Sequence, residues 1–184
     1  MEKYRLEVVK WRDVKKIADL MYCDNKYLSP YTDYDFLNRI IKSSNIRLKK
    51  RFKRCRFVNY VLYKNDEPIY IAPLFFDKKG KVLFLAGHFN SVGHIDFIYK
   101  KDVTKQDFDY LIEALMSNYK NCSIHLDRIS QFSKTFLFLS ENKQIPIKKE
   151  ICVKIDFSNY DGWFQSLHKG RRQNIRTAYN RINR

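Results

Sequence analysis

The stretch that decides the fold is "RFVNYVLYKNDEPIYIAPLFFDKKGKVLFLAG", residues 56–87. It contains three apolar runs, and two short polar segments separate them. These segments, "KNDEP" at 64–68 and "DKKGK" at 77–81, carry the Asn, Asp, Gly and Pro chemistry of tight turns. Because each run has the length of a strand and each connection is short, the stretch predicts an antiparallel three-stranded meander.

Helical and strand patterns alternate on both sides of this meander. Thr104 and Asp107 resemble a capping box, with Asp in place of Glu or Gln, and predict the start of one of the helices. Interleaved elements of this kind predict an α/β (α+β) fold with a mixed, largely antiparallel sheet flanked by helices. We expect strands at 4–11, at the end of 88–100, at 123–129 and at 149–157, and helices at 12–22, 35–44, 104–119 and 133–142.

The net charge of +16 is concentrated in two segments. Residues 42–56 carry eight positive charges and residues 169–184 carry six, with no acid in either segment. The rest of the chain is therefore nearly neutral. Nucleic acid, anionic lipid or a phosphate-bearing small molecule are the partners that such surfaces favour. Phe52 and Phe57 beside the first segment also suit a single-stranded nucleic acid, but a solvated loop before a strand is the commoner structure for such a run.

Several functional classes are excluded or disfavoured by missing patterns. There is no apolar run of the roughly 18 residues that a membrane span needs, and the N-terminus lacks a secretory signal, so we expect a cytoplasmic protein. No phosphate-binding glycine motif, nucleophile elbow or zinc-protease motif is present. The four cysteines are far apart, which predicts free thiols and no metal site.

One polar cluster lies among apolar surroundings, in "GHFNSVGHID" at residues 87–96. Its candidate site residues are His88, Asn90, His94 and Asp96. On a loop between two strands these side chains can face a cleft, where His94 or Asp96 would orient a substrate or move a proton. The alternative is a polar loop whose Asn and Ser residues only stabilise a turn.

The last helical pattern follows Ser158, which is a candidate N-cap. Trp163, Phe164 and Leu167 predict one apolar face, and Gly170 is a point where the helix can bend or stop. Beyond it, apolar residues recur at helical spacing while arginines occupy the other faces. Such a stripe predicts packing against a hydrophobic partner. Its members are Ile175, Ala178, Tyr179 and Ile182.

These segments resemble a family of GNAT-like acyltransferases. "LSPYTDYDFLNRII", "EPIYIAPLFF", "VLFLAG" and "HIDFIY" follow one another as in that family. "YDGWFQSLHKGRRQNIRTAYNRINR" at 160–184 is similar to the "W...LSK..RQNIR.A.NRL" helix of the members named after cellulose-biosynthesis acetyltransferases. FemAB-type peptidyltransferases are more distant relatives. The resemblance spans nearly all of the chain, and the terminal helix is its most specific part.

The resemblance implies an enzyme that transfers an acyl group from acetyl-CoA or another acyl-CoA to an amine or hydroxyl acceptor. It further implies a two-domain arrangement, with an N-terminal GNAT-like domain at 1–157 and the start of an interdomain helix at 158–184. Arg171, Arg172 and Arg176 on that helix would contact phosphate or carboxylate groups of a small-molecule or cell-envelope precursor acceptor.

Family members hold the pyrophosphate of CoA with a [QR]-x-x-G-x-[GA] loop at a helix N-terminus. That pattern is not in the sequence. We therefore expect the chain to be the N-terminal half of such an enzyme, inactive without a C-terminal half or a second chain. A non-enzymatic nucleic-acid-binding module that uses residues 42–56 and 169–184 is the alternative. A third hypothesis is an assembly domain whose terminal helix docks on another chain.

Overall fold

A computed structural model describes residues 2–22, 32–51, 55–88, 94–142, 146–148 and 160–182. Within these ranges the chain forms strands β1 to β6 and helices α1 to α6. In chain order they are β1 (Tyr4–Val8), α1 (Trp11–Tyr22), α2 (Tyr34–Arg51), β2 (Cys55–Lys64), β3 (Glu67–Asp77), β4 (Val82–Leu85), β5 (Ile98–Tyr99), α3 (Lys105–Asn118), β6 (Ser123–His125), α4 (Lys134–Ser140), α5 (Tyr160–Ser166) and α6 (Lys169–Ile182).

The strands form one mixed, largely antiparallel sheet in the order β1-β2-β3-β4-β6, and β5 pairs with β3. The predicted meander is confirmed, because β2, β3 and β4 pair antiparallel through the two turns read from the sequence. The pairing of β4 with β6 is the exception, since these two strands run parallel. A parallel pair needs a crossover connection, and the segment containing α3 provides it. The predicted fold class is therefore confirmed.

Helices cover both faces of this sheet. Val58, Tyr60 and Leu62 of β2 face the core beneath α3, while Val61 between them faces the core beneath α1 and α2. This alternation is the period-2 pattern of a strand, and burial on both sides explains why β2 and β3 have almost continuously apolar sequences. The α3 core includes Phe108, Leu111 and Leu115, and the other core includes Val14, Ala18, Met21, Leu37 and Ile41.

Helix α2 is longer than the sequence pattern predicts. We expected a helix at 35–44 followed by a solvated loop, but the helix continues to Arg51. We expected the helix to end soon after Ile41 because the recognised apolar pattern ends there. The residues that follow do not themselves end a helix. The following residues, "KSSNIRLKKR", contain no Gly or Pro and include several good helix formers.

Residues 1–146 and 147–184 form two compact units. The first holds the sheet and helices α1 to α4, and the second holds α5 and α6. The predicted domain boundary at 157/158, the strand expected at 149–157 and the cap expected at Ser158 lie outside the described residues. Cys55 and Cys122 are free thiols and are partly buried, while Cys23 and Cys152 lie outside the described residues. None of the helices in the described ranges is long and apolar enough to cross a membrane.

The carboxylate of Asp107 joins three elements of the first unit. Its Oδ1 accepts a hydrogen bond from the Tyr4 hydroxyl of β1 at 2.6 Å and lies 3.1 Å from the Lys64 Nζ of β2. Its Oδ2 accepts from the backbone N–H and the hydroxyl of Thr104, both at 2.8 Å. The predicted capping box is therefore confirmed, and the same side chain also ties α3 to two strands.

Replacing Asp107 tests how much this junction stabilises the fold. Burial acts to raise the pKa of this carboxyl, but the hydrogen bonds from Tyr4 and Thr104, with Lys64, hold it below its usual value. The stabilisation is therefore present above the pKa of the unfolded carboxyl, about 3.9, and is lost as the pH falls through the folded value. Asp107→Ala should lower the free energy of unfolding at pH 7 by about 2–4 kcal/mol, measured by urea denaturation.

The control is Asp109→Ala on the same helix, because Asp109 is a half-exposed carboxyl whose one described ion pair is to Lys105. It should change stability by no more than about 0.5 kcal/mol. Equal effects of the two substitutions would contradict a special role for Asp107.

Candidate functional site

The predicted polar cluster follows β4, and the structure describes three of its four candidate residues. His88, His94 and Asp96 are described, while Asn90 lies outside the described residues. The three side chains have different surroundings. His88 is half-buried, His94 is exposed and Asp96 is buried. What each of these three side chains can do therefore depends on its own contacts.

Asp96 is held by the protein interior. Its Oδ1 accepts hydrogen bonds from the Thr135 hydroxyl of α4 at 2.6 Å and from the backbone N–H of Phe97 at 2.7 Å. Its Oδ2 accepts a longer one, 3.5 Å, from the Tyr99 hydroxyl. Burial raises the pKa of Asp96 to about 6, although these hydrogen bonds act in the opposite direction. The carboxylate thus fastens the segment before β5 to α4.

His94 lies two residues before Asp96 in a left-handed backbone conformation, with φ of 54°. That region is uncommon for residues other than glycine, although His enters it more readily than most. Because Asp96 is anchored, the backbone at 94–96 presents the imidazole of His94 to solvent. The side chain is therefore accessible to a ligand.

His88 is fixed by an acidic residue that the sequence analysis did not select. Its Nδ1 lies 2.6 Å from Oδ2 of Asp127, two residues after the end of β6. Its ring stacks on Phe84 of β4, with ring centres 4.4 Å apart. Burial lowers the pKa of His88, and the positive charge of Arg128 adds to that effect, whereas Asp127 raises it. The structure therefore brings together a histidine and a carboxylate from two different strand ends.

Sequence reasoning missed Asp127 because the two residues are far apart in the chain. The signal that can find it is the end of "SIHLDRI", where a carboxylate directly follows a short strand. Using that signal requires knowing that β6 pairs parallel with β4, so that both strands end at the same edge.

The predicted arginine helix belongs to the second unit. Helix α5 ends at Ser166 and α6 begins at Lys169, so the interruption lies just before Gly170. Arg172 stabilises this corner, because its Nη1 donates to the carbonyl oxygens of Gln165 at 2.8 Å and Leu167 at 2.7 Å.

The other two predicted arginines differ from Arg172 and from each other. The guanidinium of Arg176 lies over the ring of Phe164, 5.3 Å from its centre. Arg171 is exposed. On the predicted apolar stripe, Ile175 is partly buried and Ala178 is exposed, while the side chains of Tyr179 and Ile182 lie outside the described residues.

A shallow groove of about 320 Å³ lies elsewhere on the first unit, and none of the predicted site residues lines it. Its charged groups include Lys64 beside Asp107 and Lys100 beside Glu67, and the latter pair is 3.0 Å apart. Asp102 also lines the groove, so its two lysines face three carboxylates and it carries no surplus of positive charge for an anionic ligand. Across the described part of the chain, no group of three or more His, Cys, Asp or Glu residues is arranged to hold a metal ion.

Comparison with known proteins gives similarities to solved acetyltransferases. No protein-family model matches the chain, and no curated protein matches it. Among solved structures, the chain is similar to a predicted acetyltransferase with acetyl-CoA from Clostridium acetobutylicum, at 13% identity and a TM-score of 0.46, covering 85% of this chain and 97% of that one. A possible acetyltransferase from Clostridium difficile has 11% identity and a TM-score of 0.46, covering 83% and 97%.

A GNAT family acetyltransferase from Streptococcus pneumoniae is also similar, at 13% identity and a TM-score of 0.40, covering 85% of this chain and 100% of that one.

The buried carboxyl of Asp96 should make stability depend on pH. Its pKa is raised to about 6 by burial, whereas an unfolded Asp has a pKa of about 3.9. The folded state therefore binds a proton that the unfolded state has lost, and stability falls as the pH rises through this interval. As the pH rises through this interval, the free energy of unfolding of the wild type should fall by about 2–3 kcal/mol relative to that of Asp96→Asn, measured by urea denaturation at several pH values.

Asp19→Asn is the matched control, because Asp19 is exposed on α1. The free energy of unfolding of Asp19→Asn should change with pH in the same way as that of the wild type. A constant difference between wild type and Asp96→Asn across the interval would show that this carboxyl does not titrate there.

Proposed function

We propose that the protein is a GNAT-like acyltransferase that moves an acyl group from acyl-CoA to an amine or hydroxyl acceptor. The observation that carries the proposal is the order of the elements. An antiparallel meander is followed by a crossover helix and a strand parallel to β4, and the chain then continues into the helix whose sequence resembles that family. The parallel strands β4 and β6 end at one edge of the sheet, the place where α/β sheets commonly bind ligands.

The reaction is direct attack of the acceptor on the thioester carbonyl, and the acceptor loses a proton as it attacks. His88, Asn90 and His94 follow β4 and contact the acceptor in this proposal. Asp96, two residues after His94, is fastened to α4 because its carboxylate accepts a hydrogen bond from Thr135. Residues 94–96 therefore combine the exposed imidazole of His94 with the buried anchor of Asp96, as a positioned binding segment requires.

The finer proposal is that the chain acts as the N-terminal half of a cellulose-biosynthesis-type enzyme, distantly related to FemAB-type peptidyltransferases. The supporting observation is the missing [QR]-x-x-G-x-[GA] pattern. Without successive backbone N–H groups at a helix N-terminus, the pyrophosphate of CoA has no such site. A second GNAT-like half, from further sequence or a second chain, supplies that loop. The nucleic-acid alternative gains no specific support from the residues that the structure describes.

Two acyl donors separate the general proposal from the finer one. Acetyl-CoA carries the pyrophosphate, whereas S-acetyl-N-acetylcysteamine is a small thioester without it. The chain alone should not use acyl-CoA efficiently without its other half. Its acceptor site should still support slow residual acetylation of a member of a panel of amino sugars, sugars and amino acids, with similar kcat/KM for both donors, measured by mass spectrometry of the acceptor. The nucleotide of acetyl-CoA should bring no benefit, because the [QR]-x-x-G-x-[GA] pattern that would bind its pyrophosphate is not in the sequence.

Transfer from neither donor to any acceptor would contradict acyl transfer by this chain. A strong preference for acetyl-CoA would leave the acyltransferase in place and contradict the half-enzyme proposal.

The arginines of α6 provide a second test, on acceptors that carry phosphate or carboxylate. Arg171 is exposed, while Arg172 already donates to Gln165 and Leu167. Arg171→Ala should therefore raise KM for an anionic acceptor about tenfold and leave KM for a neutral one unchanged, measured by steady-state kinetics.

Arg172→Ala is the matched substitution on the same helix. It should instead lower the helical circular dichroism signal of the protein, because two carbonyl groups at the α5–α6 corner lose their donor. If Arg171→Ala changes KM equally for neutral and anionic acceptors, an anion-binding role for Arg171 is wrong.

A further inference from the structure

Helix α6 carries positive charge without acidic residues beside it. The sequence has no Asp or Glu in residues 162–184, whereas α6 contains Lys169, Arg172 and Arg176 among its cations. The ion pairs among the described residues all lie between residues 2 and 127. The charges of α6 are therefore not neutralised by any acid that the structure describes.

Three of these cations form one face of the helix. Lys169, Arg172 and Arg176 follow one another at the i, i+3, i+7 spacing of one side of an α-helix, with about 10 Å between the first and the last along the axis. Arg172 donates to two carbonyl groups at the α5–α6 corner, and the guanidinium of Arg176 lies over the ring of Phe164. Two members of this basic face are thus held in place before a partner binds, which lowers the entropy cost of binding.

The helical positions beside the basic face are apolar. Ile175 is partly buried there and Ala178 is exposed. A nucleic acid would bind the cations and leave these positions without a partner. An anionic lipid surface needs a broader apolar face than a helix with four apolar residues among 14 can offer. A helix of another protein, with carboxylates beside an apolar strip, matches both features, so the chemistry favours an acidic protein.

The two longest helices of the first unit do not fit the pyrophosphate of CoA at their N-termini. Asp107 and Thr104 cap the start of α3, and the backbone N–H of Phe36 at the start of α2 donates to Asp33. Because a carboxylate already lies at the positive end of each helix, a pyrophosphate would meet like charge there. A donor for this chain must therefore be recognised by something other than its nucleotide.

We propose that the acyl donor is a thioester on the flexible phosphopantetheine arm of an acidic carrier protein, which docks on the basic face of α6. This inference rests on the proposed acyl transfer and names the class of donor. The acceptor nitrogen attacks the thioester carbonyl carbon, so that an N–C bond forms and the C–S bond breaks. The arm leaves with the electron pair of that bond and takes up the proton that the nitrogen loses, which regenerates its thiol. Docking brings the thioester to the chain without any contact to a nucleotide.

Binding of the carrier is the first test, because it does not depend on turnover. A fluorescently labelled acidic acyl carrier protein, with a free thiol on its arm, is titrated with the full chain and followed by anisotropy. The affinity should fall at least about tenfold between about 50 and 200 mM salt. The double substitution Lys169→Glu and Arg176→Glu should weaken binding at least about tenfold at the lower salt concentration.

The matched control is the double substitution Lys16→Glu and Lys120→Glu. It makes the same change in net charge at two exposed lysines of the first unit. It should weaken binding less than about threefold. An equal loss of affinity in the two double variants would show that the carrier responds to net charge alone, and would overturn the docking surface.

Two further probes separate the other classes of partner. A labelled single-stranded oligonucleotide and vesicles that contain an anionic lipid are titrated under the same conditions. If the wild type binds either probe more tightly than the carrier, and the α6 double variant loses that binding, the assignment to an acidic protein is wrong.

Transfer to a neutral amine acceptor is then measured with three acetyl donors. They are acetyl on the carrier arm, acetyl-CoA and S-acetyl-N-acetylcysteamine. The wild type should use the carrier-bound acetyl group with a kcat/KM at least about tenfold above that of the small thioester, because docking raises the rate of encounter. The ratio of these two values should fall to about one in the α6 double variant and should persist in the matched control.

The outcomes distinguish this inference from the proposed function. A wild type that acetylates the acceptor from the small thioester but gains nothing from the carrier would overturn the inference and leave the proposed function standing. Carrier binding without transfer from its arm would also overturn the donor assignment. Transfer from none of the three donors would contradict the proposed function itself.

Discussion

The parallel pairing of β4 with β6 is the constraint on which the candidate site depends. The first four strands of the sheet are joined antiparallel, β1 to β2 across a long insertion and β2 to β4 through two short turns. To lie beside β4 in the same direction, β6 must be reached by a crossover, and α3 provides it while covering one face of the sheet. The consequence is that two strands end at the same edge. There the chain has the imidazole of His88, stacked on Phe84, beside the carboxylate of Asp127.

Much of the fold could be predicted because local chemistry and global packing agree. The two turns, the Thr104 capping box and the periodic apolar faces of α1 and α3 each correspond to an element in the structure. The length of α2 could not be predicted from its apolar pattern, because the helical spacing of apolar residues was recognised only as far as Ile41, whereas the helix ends at Arg51. A helix can continue on backbone propensity alone where no Gly or Pro interrupts it.

The candidate site was only partly predictable for a different reason. His88 and Asp96 are conspicuous in the sequence, since polar residues stand among apolar ones. Their partners are not, because Asp127 and Thr135 reach them from residues 39 positions away in each case. Whether a histidine or an aspartate is anchored or exposed depends on such partners. The sequence analysis therefore identified the loop, while the structure distinguishes the anchoring Asp96 from the accessible His94 and the oriented His88.

The Asp107 junction also bears on how the chain is made. Tyr4 and its hydrogen-bond acceptor are separated by 103 residues, so the contact spans the greater part of the first unit. During synthesis the amino-terminal strand leaves the ribosome well before α3 exists, and non-local contacts of this kind form late. Until then Tyr4 and Lys64 have no buried carboxylate to bind. Strand β1 thus reaches its final surroundings only when the crossover helix has been translated, so this edge of the sheet is completed late.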